Sequence, residues 1–198
     1  MKQFPLIRNP LVWLRRIAHR RGYGVHSPFA FQLIMDAVYE STPYYAYSCL
    51  ASLHPWPVRV LNLFPLQCHR LLFRLANYQH PACIILLGAS HHEAAYMQAA
   101  VPSAQLRVEH DVAGIGALPP SALLFVGAGE LPHTAALADA MPADGMLVVE
   151  GIHSSPAAAQ MWHDLQAAPH TGITFDLYTY GICCFDRSRH KQHYIVNF

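Results

Sequence analysis

Pro81-Ala82-Cys83-Ile84-Ile85-Leu86-Leu87-Gly88-Ala89-Ser90 is the stretch on which the fold turns. Its apolar run, 82–87, follows a proline and stops at a glycine. No polar residue alternates with the apolar ones, so a strand covered on both faces is predicted, as in a parallel sheet. The pattern repeats downstream. Residues 105–109, 122–126 and 146–150 read as further strands, with helical stretches at about 91–100, 131–141 and 155–168. Strands alternating with helices predict an α/β fold whose parallel strands are joined by right-handed crossovers. Residues 173–178, 182–186 and 193–196 are strand-like and are expected to end the chain with an antiparallel element.

Upstream, the signals are helical. Asn9 is a candidate cap and Pro10 suits a first helical position, with Leu11, Leu14 and Ile17 on one stripe and Gly22 as a stop. Ser27-Pro28 repeats that signature ahead of an apolar face made by Phe29, Leu33, Ile34, Ala37 and Val38. Residues 41–59, rich in Pro, Tyr and Ser, read as an irregular connector with one short helix. Pro65 opens a helix through about Asn77. The expected organisation is a helical cap or lid over 1–78 and an α/β core over 79–198.

Of the 198 residues, 53% are hydrophobic and only 13% charged, against roughly 25% charged in ordinary soluble domains. Such a surface is unusually apolar or is covered by a partner. The net charge of +1 gives no bulk argument for nucleic acid. Lys2, Arg8, Arg15, Arg16, Arg20 and Arg21 nevertheless precede the first acid, Asp36. An arginine-bearing helix on nucleic acid is therefore a minor reading. The basic start is broken by Arg8, Pro10 and Arg15, unlike a secretory signal. No run reaches the roughly 20 apolar residues of a membrane span. Five cysteines without a CxxC spacing suit a reducing compartment. The expected location is the cytoplasm.

In an open α/β sheet, ligands bind at the carboxyl ends of the strands. Here those ends are Gly88-Ala89-Ser90, Glu109, Gly127-Ala128-Gly129 and Glu150-Gly151-Ile152-His153. Glycine lets a ligand approach the backbone, and Glu109 follows Gly88 at a spacing suited to a ribose-binding acid. The plain alternative is a set of tight turns and a solvated carboxylate. Fourteen histidines raise the question of a metal. His91-His92-Glu93 is the densest group, but adjacent helical positions diverge and no paired ligand spacing supports it, so no metal site is expected. His153, three after Glu150, can face the same crevice. His26, between two glycines and a helix cap, reads as a residue placed by its loop or as a plain helix entry.

Gly24-Val25-His26-Ser27-Pro28-Phe29-Ala30-Phe31 and Arg70-Leu71-Leu72-Phe73-Arg74-Leu75-Ala76-Asn77-Tyr78 resemble class I S-adenosylmethionine-dependent methyltransferase-like proteins of Bacteroidetes. So do Gly151-Ile152-His153-Ser154 and the segments Tyr180-Gly181-Ile182 and His193-Tyr194-Ile195-Val196. The likeness runs from about residue 15 to the end. It implies a Rossmann-like methyltransferase sheet of the O-methyltransferase type and S-adenosylmethionine as cofactor, with a small-molecule acceptor. The cofactor residues it implies are Gly88, Ala89, Ser90, Glu109 and Gly127; the catalytic ones are Glu150, His153 and His26.

The motif departs from the family's in several places. Leu86 stands where the family has an acid, His92 where it has a second glycine, and Gly127 where it has an acid after the fourth strand. One carboxylate, Glu150, rarely holds magnesium without further oxygen ligands, so any surviving transfer is expected to be metal-independent. Only 12 residues, 110–121, separate Glu109 from Ala122, too few for a helix, strand and helix. The family's third strand is therefore expected to be missing, leaving 105–109 at the sheet edge. These losses set two readings side by side. One is an active methyltransferase; the other is a pseudoenzyme, a non-catalytic binding or assembly module that meets a protein partner or a second copy of itself.

Overall fold

A computed structural model describes residues 10–19, 22–61 and 63–198. The chain runs α1 (Pro10–Arg15), α2 (Pro28–Leu33), α3 (Ala46–Ala51), α4 (Trp56–Val60), α5 (Phe64–Gln79), β1 (Cys83–Leu87), α6 (His91–Ala100) and β2 (Gln105–Glu109). It continues with β3 (Leu123–Val126), α7 (Thr134–Ala140), β4 (Met146–Glu150), α8 (Pro156–Ala167), β5 (Ile173–Asp176), β6 (Tyr180–Cys184) and β7 (Gln192–Ile195). The strands form one sheet in the order β2-β1-β3-β4-β6-β5-β7. Strands β2, β1, β3 and β4 are parallel, with Leu87 level with Glu109 and Val126. Strand β6 runs antiparallel to both β4 and β5.

Every residue of β1 and β3 is buried, which is why those strands read as unbroken apolar runs. On one face Ile84, Leu86, Phe125 and Val148 meet Leu33 of α2, Leu72 and Leu75 of α5 and Met97 of α6. On the other, Ile85, Leu87, Leu124 and Val149 meet Leu137 of α7 and Trp162 and Leu165 of α8. At roughly 1.5–3 kcal/mol for each fully buried large side chain, these two layers supply most of the favourable free energy of folding.

Strand β2 is the sheet edge, and residues 110–121 hold no strand. They fold back over the second face instead and insert Ile115, 2% exposed, beside Leu87. The missing crossover is thus replaced by a short plug. Without an outer neighbour, β2 loses the burial of β1 and leaves Val108 half exposed.

Several boundaries differ from the sequence reading. The connector holds two short helices, α3 and α4, rather than one. Pro132 confines the chain before Thr134 to a 3-10 turn, so α7 starts three residues late. Strand β5 stops at Asp176 because Tyr178, at φ 70°, makes a tight turn in which the Tyr178 N–H is bound by the Asp176 carboxylate. Strand β7 does not continue the antiparallel run; it crosses to the outside of β5 and lies parallel to it. The Asn9 cap lies outside the described residues. Leu14 and Ile17, expected on a buried stripe, are 55% and 49% exposed. What holds this region is polar: Arg16 reaches Asp176, and His19 O accepts from Asn197 N. Among the described residues no helix is long and apolar enough to cross a membrane.

Candidate functional site

The carboxyl ends of β1, β2, β3, β4 and β5 lie along one rim of the sheet, so Gly88, Glu109, Gly127, Glu150 and Asp176 face the same side. The rim divides into three parts.

Glu109 and Gly88 mark the first. Arg107 and Glu109, two apart on β2, share a strand face. The Arg107 guanidinium donates to Glu109 Oε1 through Nε at 3.1 Å and Nη2 at 2.9 Å. The same Nη2 donates to the carbonyls of Gly114 and Ile115, at 2.9 and 2.8 Å. Arg107 therefore ties the plug to the acid. Gly114 lies so close that a Cβ there would be 2.6 Å from Glu109 Oε2. Gly88, at φ 66°, is exposed but has Glu130 beside it: a Cβ on the glycine would meet Glu130 Cγ at 2.7 Å. Gly127 is a packing glycine, since a Cβ there would lie 2.3 Å from the Gly88 carbonyl oxygen. Ala89 packs against the core, and Ser90 caps α6.

A cavity of about 360 Å³ forms the second part, lined by Ser90, His92, Glu93, Glu150 and Tyr180 from the sheet side. His54, Val58, Pro65 and His69 close it from the helical layer. Glu150 lines this cavity and accepts from Ala128 N at 3.3 Å. Above it lies a polar chain that the sequence reading missed. Glu93 accepts from Ser90 N at 2.7 Å and from the Ser90 hydroxyl, and lies 3.3 Å from His69 Nε2. His69 Nδ1 is 3.3 Å from His54 Nε2, and the rings of His69 and His92 stack at 5.3 Å.

Burial alone would raise the Glu93 carboxyl. Hydrogen bonds from His69 and Ser90 outweigh it and hold the group at about 2. An ionised carboxylate only accepts, so His69 donates through Nε2, and in its neutral state accepts at Nδ1 from His54. His54, desolvated and beside His69 and His92, is pushed down to about 4 and is neutral at physiological pH. No spacing in the sequence joins these residues; the close packing of α5 on α6 brings 69 to 92 and 93.

His153 belongs to the third part. Its Nε2 is 2.7 Å from Asp176 Oδ2, and its ring stacks on Tyr178 at 5.2 Å. Arg16 donates to Asp176 Oδ1 at 2.8 Å and to the Asp176 carbonyl at 3.2 Å. Burial opposes ionisation of Asp176, but His153 and Arg16 hold it at about 2. His26 is exposed in the turn before α2, and among the described residues no hydrogen bond joins it to Glu150 or His153. The three expected catalytic residues are thus not gathered: Glu150 lines the cavity, His153 serves Asp176, and His26 faces solvent. Among the described residues no three His, Cys, Asp or Glu side chains are arranged to hold a metal ion.

This architecture is shared with known proteins. The chain is similar to a SAH-bound methyltransferase from Podospora anserina, with 12% identity and a TM-score of 0.50, over 81% of this chain and 96% of that one. The fold is that of the Rossmann-like methyltransferases. A "putative methyltransferase" from Thermobifida fusca is a weaker match, with 14% identity and a TM-score of 0.32, over 62% of this chain and 65% of that one. No protein-family model and no curated protein matches the chain.

This fold invites a test of S-adenosylmethionine against the residues present. The ribose-binding position, Glu109, is neutralised by Arg107 and lies under the plug. The close-approach glycine, Gly88, is exposed, with the Glu130 side chain beside it. Leu86 is buried in β1, and His92 lies in the first turn of α6. As arranged, Arg107 would have to release Glu109, and Glu130 would have to shift from beside Gly88, before such a group could sit there.

Proposed function

We propose that this methyltransferase-like chain is a non-catalytic binding module: it keeps the fold and a half-open cavity, and does not transfer methyl groups from S-adenosylmethionine. The Arg107–Glu109 pair under the plug carries the reading. Freeing Glu109 requires breaking the two guanidinium bonds to the carboxylate and disturbing those to Gly114 and Ile115. Charge-assisted bonds are worth about 1.5–3 kcal/mol each, so even half that total weakens a cofactor's affinity by more than tenfold. The apolar composition and the truncated edge suit contact with a protein partner or a second copy.

A second reading, O-methyl transfer to a small-molecule acceptor, is favoured by the cavity. Glu150 lines it, and the His54–His69–Glu93 chain offers a route for an acceptor's proton.

Calorimetric titration with S-adenosylmethionine and its demethylated product separates the two, together with thermal melting. No binding heat and no melting shift are expected. A ligand at 100 times its dissociation constant would stabilise by about 2.7 kcal/mol, which is roughly 5–10 °C for a domain of this size. A shift of that order, or turnover with any hydroxyl acceptor, overturns the first reading in favour of the second. In the variant Arg107→Ala with Glu130→Ala, some affinity should appear, because both side chains have been removed.

A further inference from the structure

A cavity of about 620 Å³ lies on the other side of α5 from the His54–His69 cavity. Gln67, Arg70 and Arg74 line it, whereas Pro65 and His69 line the first. At about 100° per residue these sets occupy opposing helix faces. The volume falls within the roughly 300–1,000 Å³ of small-molecule sites.

Two features of this cavity point to a ligand. The first is charge. Arg74 is buried, 8% exposed, and its Nε and Nη2 donate to the carbonyls of Ala37 and Val38 at 2.6 and 3.0 Å. Those bonds fix the guanidinium without neutralising it. Among the described residues no carboxylate lies within ion-pair distance of Arg74. Glu40, the one acidic side chain in the described lining, accepts from the Thr42 N–H at 2.6 Å, and its carboxyl is lowered by the Thr42 bonds first and also by the charge of Arg74. Arg70 adds a second positive charge, its guanidinium 4.9 Å from the centre of the Tyr47 ring. Two guanidinium groups thus line the cavity with one acidic side chain, Glu40, and an anion entering it relieves the cost of the unmatched buried charge.

The second feature is aromatic lining. Tyr44 and Tyr47 line the cavity and are braced by Phe73, with ring centres 4.9–5.3 Å apart. Ring faces and edges arranged this way favour an aromatic guest in offset or edge contact. Guanidinium groups recognise carboxylate and phosphate by the same forked geometry.

We propose that the cavity bounded by Arg70, Arg74, Tyr44 and Tyr47 is a binding site for a small aromatic anion, a ring carrying one carboxylate or phosphate group. The site is independent of the cofactor reading above, because it shares no residue with the rim of the sheet.

The test is calorimetric titration of the whole chain with 4-hydroxybenzoate, phenyl phosphate and the neutral benzyl alcohol, at low and high salt. At least one anion is expected to bind at least tenfold more tightly than the alcohol, and to weaken as salt rises. Which anion is tighter decides between carboxylate and phosphate. Arg70→Gln should abolish the preference for an anion. Ser48→Trp, which places a large ring at the exposed mouth, should abolish binding of both anions while leaving the melting temperature within a few degrees. Equal affinity for anions and alcohol overturns the proposal, as does millimolar-range silence for all three probes. Undiminished binding in Ser48→Trp overturns it too, since the ligand would then sit elsewhere. Failure to bind S-adenosylmethionine has no bearing on these outcomes.

Discussion

Replacing Asp176 with asparagine tests whether the rim's third part is a latch. Asp176 takes two side-chain partners, Arg16 at 2.8 Å and His153 at 2.7 Å, besides the Tyr178 N–H, and its side chain is 9% exposed. Its carboxyl is lowered from an ordinary 3.8 to about 2. That difference corresponds to roughly 2.5 kcal/mol favouring the folded, charged form. The sign follows from the direction of the shift. A depressed carboxyl contributes its full stability above about pH 4, and the contribution is lost as pH falls towards about 2. A neutral amide cannot pair with Arg16 as an ion, so Asp176→Asn should lose about 2–3 kcal/mol at pH 7. For a chain of this length the melting temperature should fall by roughly 5–10 °C. Urea unfolding followed by circular dichroism at pH 7, 4 and 2.5 measures the gap, which should close as the pH falls. Arg16→Gln should cost a similar amount, with the double variant less than additive. A loss below about 0.5 kcal/mol at pH 7, or a gap as large at pH 2.5 as at pH 7, would refute the latch.

His54 should make the protein sensitive to mild acid. Its depressed pKa means that the unfolded chain takes up the proton first, so stability should decline as pH falls from about 6.5 to about 4; His54→Gln should flatten that slope in urea midpoints measured at pH 7 and 5. Gly127→Ala should be far worse than Gly88→Ala. The first drives a methyl into backbone at 2.3 Å, while the second meets the flexible Glu130 side chain and an unfavourable φ. Losses of about 3 kcal/mol or more and about 1–2 kcal/mol are expected, and adding Glu130→Ala should recover part of the second only. Arg107→Ala should speed hydrogen exchange at 112–116 with little effect on β3, since its bonds hold the plug and not the sheet core.

The central strands were legible because burial on both faces leaves nothing but apolar residues between Cys83 and Leu87. The edge position of β2 was legible from chain length alone, as 12 residues cannot hold a crossover. By contrast, β7 is four residues long, two of them exposed and the other two half-buried. Such a segment carries no mark of which neighbour it will choose or in which direction. Helices α3 and α4 lack side-chain caps, so only one short helix was expected where there are two. At the site, the positions of Gly88, Glu109 and Glu150 followed from the strand ends. What lies against them did not. Glu130 approaches Gly88 across two loops, and His54, His69 and His92 meet only after three helices have packed. Arg107 was the exception in waiting. Its spacing of two from Glu109 on a strand is enough to predict the pair.

The latch between Arg16 and Asp176 has a consequence for synthesis on the ribosome. The two residues are 160 positions apart, and the backbone bond from Asn197 to His19 spans still more. At roughly 5–20 residues per second, translation needs about 8–32 s to bring Asp176 into being after Arg16. During that interval the first helix has no dock. Its arginines and the exposed Leu14 and Ile17 are left to chaperones, to proteases or to the ribosome surface. Ribosome-arrested chains ending before residue 176 should therefore be cut near Arg15 and Arg16 by trypsin, and released full-length chains should resist.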